Sequence, residues 1–60
     1  MRYKVLVSNE GENHTFYSDD KEEAYLIYRM AIHSNIFTYV DLREIKEVDR
    51  ILEDWSDDDA

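Results

Sequence analysis

A chain of 60 residues without a cysteine has few ways to hold a fold. Such a chain buries only about 60% of the surface that its unfolded form exposes, so its stability is marginal. No disulfide and no thiolate zinc site can add to it. What remains is a dense apolar core or self-association. The material for a core is present in Tyr3, Phe16, Tyr17, Tyr25, Tyr28, Phe37, Tyr39 and Trp55. A disordered acidic chain lacks such aromatic and β-branched residues. One domain over residues 1–55 is expected, with residues 56–60 as a disordered acidic tail.

Residues 3–7 alternate and are β-branched, with Tyr3, Val5 and Val7 on one face and Lys4 and Leu6 on the other. A polar stretch over residues 8–13 follows and holds the only glycine, Gly11, where a positive φ is cheap. Residues 14–17 form a second short strand, and the whole reads as a β-hairpin. Residues 18–23 then carry helix-start chemistry. Asp19 with Glu22, or Asp20 with Glu23, has capping-box spacing, and the clustered carboxylates suit the positive end of a helix dipole. The helix is expected to stop near Ser34 or Asn35, because Asn tolerates a left-handed conformation.

Ala24, Ile27, Tyr28 and Ala31 make one stripe at helical spacing. Leu26 and Met30 lie to one side of it, and Tyr25 and Ile32 to the other. A helix this apolar is broader in its demand for cover than one small sheet requires. Either the C-terminal segment or a second chain is expected to cover the rest.

Residues 41–55 have two readings. As a helix, they align Ile45, Val48, Ile51, Leu52 and Trp55, and good helix formers lie between. As strands, residues 39–45 and 50–55 flank a turn over residues 46–49 that lacks Gly, Asn and Pro. Two considerations favour strands. A two-stranded hairpin is a poor platform for so apolar a helix, and no helix terminator separates Leu42 from Arg43. The expected fold class is α+β: a small antiparallel sheet with one helix packed on it, in the order ββαββ, with ββαβα as the alternative.

The charge is lopsided. The chain carries 15 acidic and seven basic residues for a net charge of −8, and nine of the carboxylates lie in residues 41–60. Such a surface repels nucleic acid and membrane and attracts basic protein surfaces. The seven cations are scattered and form no basic patch, which disfavours direct nucleic-acid binding. The longest apolar run is far short of the roughly 20 residues that span a bilayer, and the start lacks the apolar core of a signal peptide. The expected location is the cytoplasm.

The opening strand (Tyr3, Lys4, Val5, Leu6, Val7), the helix start from Ser18 to Ala24 and the strand from Tyr39 to Ile45 resemble the layout of small acidic proteins encoded by phages and other mobile elements. The resemblance covers nearly the whole chain. It implies an inhibitor or modulator of a host protein, in some cases a DNA mimic, acting in the host cytoplasm. It transfers no functional residue.

No catalytic motif is present. There is no cysteine nucleophile, no glycine-rich phosphate cradle and no Gly-x-Ser-x-Gly turn, so the chain is read as a non-enzyme. His14 and His33 lack a third ligand, and Asp57, Asp58 and Asp59 lack the spaced oxygens and glycine of a calcium loop, so no metal or other cofactor is expected. Two binding readings remain. In the first, Asp41, Glu44, Glu53, Asp54 and Trp55 cover a basic surface on a protein partner, in the manner of a DNA mimic if the carboxylates align on one face. In the second, Tyr25, Leu26, Met30 and Ile32 form a homodimer, the commonest closed assembly. The plain alternative for the charges is a solvated surface that aids solubility.

Overall fold

The β-branched opening segment and the polar stretch after it make a hairpin. β1 spans Tyr3–Asn9 and β2 spans Glu12–Ser18, paired antiparallel from Tyr3↔Ser18 to Asn9↔Glu12. The turn is tighter than the polar stretch suggests, since only Glu10 and Gly11 lie outside the strands. Their φ angles are 30° and 88°, both in the region that a two-residue primed hairpin turn requires. The structure, a computed structural model, describes residues 2–57.

Helix α1 spans Lys21–His33. Asp20 is its N-cap and accepts a hydrogen bond from the Glu22 amide at 3.0 Å. The expected reciprocal capping box does not form. The Asp20 amide instead donates to the Ser18 hydroxyl at 3.1 Å, and that hydroxyl donates to the Glu23 carboxylate at 2.9 Å. Ser18 is buried, so this relay satisfies its hydroxyl at the strand-to-helix junction. The helix closes at Ser34, and Asn35 takes the expected left-handed conformation with φ 59°.

Two more strands follow, β3 over Tyr39–Glu44 and β4 over Arg50–Ser56. All four strands form one antiparallel sheet in the order β2-β1-β3-β4. The strand reading of the C-terminal third is therefore correct, despite the helical preference of its residues. Burial explains why. Val40 and Leu42 pair with Val7 and Val5 and reach 0% exposure beneath the helix, a placement worth about 1.5–3 kcal/mol per side chain. Val48, which a C-terminal helix would have placed on its apolar stripe, lies exposed in the loop between β3 and β4.

The core joins Val5, Val7, Val40 and Leu42 from the sheet to Ala24, Tyr28 and Ala31 from the helix. Tyr3, Tyr25, Ile27, Ile32, Phe37, Leu52 and Trp55 pack around it. The helix lies over β1, β3 and β2, and among the described residues no helix covers the opposite sheet face. Between Leu42 and Arg43 the register slips, so that Arg43 faces Ile51 and Leu52 is left without a cross-strand partner. This β-bulge bends the outer strand. The pairing also runs past the expected domain end. Ser56 belongs to β4, and the Asp57 amide donates to the Thr38 carbonyl at 2.8 Å. Residues 56 and 57 of the expected tail therefore join the ladder, and the rest of that expectation, residues 58–60, lies outside the described residues.

Candidate functional site

Alternation along β3 places Tyr39, Asp41 and Arg43 on the sheet face away from the helix, with Val40 and Leu42 on the core face. Asp41 should be exposed there. Instead it is completely buried under its own neighbours. The Tyr39 hydroxyl donates to Asp41 Oδ2 at 2.8 Å. Arg43 donates from Nε to Oδ1 and from Nη2 to Oδ2, each at 3.1 Å. This bidentate fork is the stronger kind of charge-assisted bond. It holds the Arg43 guanidinium above its ordinary pKa. Burial, and then the bond to Asp41, push the Tyr39 phenol up. Asp41 also faces Asp54 directly across β3 and β4, a destabilising like-charge pair that Arg43 offsets.

Asp41 is therefore removed from the set of partner-contacting residues, because a carboxylate at 0% exposure with its oxygens bonded to Tyr39 and Arg43 has no surface for another molecule to touch. Glu44 is half-buried, with Lys46 Nζ 3.4 Å from its Oε1. Asp49 pairs with Lys4, whose bond holds the Asp49 carboxyl below the usual carboxylate range. Trp55 stands opposite Val40 and packs half-buried against the core. Glu53 and Asp54 are exposed, as is Asp57. Glu53 lies on the helix side, opposite Leu42, and Asp54 on the open side, opposite Asp41. The carboxylates of residues 41–57 thus occupy both faces of the sheet and do not form one planar array.

Glu53 and Asp54 share an edge strand. β4 is the outermost strand on its side, and among the described residues no strand pairs with its outward backbone groups. Hydrogen bonding from the Asp57 amide to the Thr38 carbonyl fixes the phase of the ladder. Glu53, Trp55 and Asp57 bond toward β3, and Asp54 and Ser56 point their amides and carbonyls outward. The edge therefore offers an open backbone with a carboxylate on each side of it. Tyr28 reports the same field from within. Its phenol is pushed up first by burial, and then by the charges of Glu53, Asp54 and Asp41.

The residues assigned to self-association divide. Tyr25 and Ile32 pack against the core, whereas Leu26 and Met30 are 57% and 63% exposed. Met30 joins Phe16, Ile27 and Ala31 along an apolar groove between the helix and β2. Phe16 was absent from the sequence-derived set. Its signal was its place in the alternation of residues 14–17, opposite Val5 at the sheet margin. A second, shallow concavity at the helix start is lined by Asp20, Lys21, Glu22, Glu23, Tyr25, Leu26 and Arg29. Among the described residues, no group of three or more His, Cys, Asp or Glu side chains could hold a metal ion, and no helix is long and apolar enough to cross a membrane. No protein-family model matches the chain, and no curated protein or solved structure shows significant similarity to it.

Proposed function

We propose that this is a non-enzymatic binding protein that covers a basic surface of a protein partner with its β4 edge. The observation that carries this reading is the pairing of an open strand edge with Glu53 and Asp54, exposed on its two sides. An extended segment rich in Lys and Arg could add to β4 through the outward groups of Asp54 and Ser56. Its alternating cations would then meet one carboxylate on each face. Backbone bonds supply affinity in such an arrangement, and complementary charge supplies specificity and a fast on-rate. Glu44 and Trp55 act from behind the edge, as a paired carboxylate and as core support. The spread of charge over two faces favours a short basic protein segment over imitation of a duplex, whose charges recur every roughly 1.7 Å along one axis. A modulator of a nucleic-acid-handling host protein fits this chemistry, since such proteins carry basic surfaces.

The test compares two baits, the wild-type chain and Glu53→Lys with Asp54→Lys, in capture from a lysate of the source organism. A partner held by the wild type, released by high salt and absent from the reversed bait supports the reading. Equal capture by both baits refutes it.

A further inference from the structure

The second sheet edge differs in kind from the first. The Ser8 carbonyl accepts from the Thr38 amide at 2.9 Å, and the Arg2 carbonyl from the Ile45 amide at 2.8 Å. Even-numbered positions of β1 therefore bond toward β3, and Tyr3, Val5, Val7 and Asn9 bond toward β2. Their partners Ser18, Phe16, His14 and Glu12 spend their backbone groups inward. Asn13, Thr15 and Tyr17 aim theirs outward, where the strand order places nothing.

Strand edges are ordinarily blunted by charge, proline or a bulge. β4 has charged side chains and the bulge beside Leu52. β2 has neither. Its register is uninterrupted, and no Asp, Glu, Lys or Arg stands between Asn13 and Ser18. In a chain of net charge −8, this is an uncharged strip with open backbone.

We propose that β2 pairs antiparallel with β2 of a second copy of this chain, with Thr15 facing Thr15 across a two-fold axis, so that two sheets become one. The outward groups are symmetric about Thr15, so Asn13 meets Tyr17 of the copy, and the strands exchange about six hydrogen bonds. On the helix side, His14 faces Phe16 of the copy. The two Phe16 rings then become diagonal neighbours, within reach of each other. Phe16 is 45% exposed and continues into the apolar groove that ends at Met30. The one formal charge in the register, Glu12, faces Ser18. Centred on the C-terminal half of β4, the same operation meets like charges. A two-fold axis at Asp54 sets two carboxylates face to face, and one at Trp55 sets Glu53 against Asp57.

The pairing has a charge signature. Glu10 and Glu12 of one copy approach Asp19 and Asp20 of the other at both ends of the ribbon. Salt screens that repulsion, so the dimer tightens as salt rises. Binding of a basic partner at β4 has the opposite dependence, so the two readings fail separately.

Analytical ultracentrifugation of the full chain at micromolar concentrations tests the proposal. A dimer is expected that tightens in salt. Thr15→Pro deletes only the outward amide and leaves the β1 ladder intact, and it should weaken the dimer by about tenfold or more. A second variant holds even if that one misfolds. The chain has no cysteine, and hydrogen-bonded antiparallel pairs sit at about 5.5 Å between Cα atoms, within disulfide reach. Thr15→Cys should therefore cross-link readily under oxidation, and Val48→Cys in the exposed loop should not. A monomer under all conditions, equal cross-linking at both positions, or a dimer that Leu26→Glu dissociates while Thr15→Pro does not, overturns the proposal.

Discussion

Replacing Asp41 with alanine should destabilise the fold by about 3 kcal/mol. The carboxylate accepts three hydrogen bonds, at 2.8 Å from Tyr39 and at 3.1 Å twice from Arg43. Bonds to a charged group each contribute about 1.5–3 kcal/mol net. Part of the loss is recovered. The Arg43 side chain is 29% exposed and can turn to water, and the carboxylate no longer has to be held out of solvent. The remainder, about 3 kcal/mol, is large for this chain, because a domain of its size has roughly 3–9 kcal/mol in total. It corresponds to a fall in Tm of about 12–24 °C. Arg43→Ala should do comparable harm by stranding a buried charge. The double variant should lose less than the sum, with a coupling of about 1.5–2 kcal/mol. Urea denaturation followed by circular dichroism measures all three. Asp41→Ala within about 0.5 kcal/mol of wild type, or strict additivity, refutes the reasoning.

Glu10→Asn should stabilise the chain by about 0.5–1 kcal/mol in the same assay, because Asn followed by Gly suits two positive φ angles and Glu does not. Leu42→Ala should lose about 2–5 kcal/mol, since the side chain is fully enclosed and its cavity cannot collapse onto water. Tyr28 and Tyr39 have raised folded-state pKa values, so their share of stability is complete below about pH 10 and declines as pH climbs through those values. Phenolate absorbance should show late-titrating tyrosine, with one late step lost in Tyr28→Phe and one in Tyr39→Phe. Asp49 has the opposite sign, with a lowered pKa, so its contribution holds above about pH 4 and is lost as pH falls further. Lys4→Met should flatten that acid limb of the stability profile.

Much of the architecture was legible because periodicity and burial agreed. Val5 and Val7, the stripe at Ala24, Tyr28 and Ala31, and the pair Val40 and Leu42 all lie where their spacing puts them. The C-terminal third was harder, because Lys46, Glu47 and Glu53 favour helix locally and only long-range pairing of Val40 with Val7 and Trp55 resolves the conflict. The candidate site was legible in part. Glu53 and Asp54 are exposed as expected from their charge, yet Asp41 is not. Its burial depends on Tyr39 and Arg43 at the positions two before and two after it, an arrangement that has meaning only once β3 is known to be a strand. The β2 edge was invisible for another reason. Which strand lies at the margin follows from the order β2-β1-β3-β4, and hairpin spacing alone does not specify that order.

The proposed function places a basic partner on β4. Amide hydrogen exchange of the chain, measured by NMR alone and with the captured partner, tests it most directly. The outward amides of Asp54 and Ser56 should exchange freely alone and become protected in the complex, with resonance shifts concentrated over residues 50–57. Unprotected amides at Asp54 and Ser56, with shifts confined to the helix around Leu26 and Met30, contradict it.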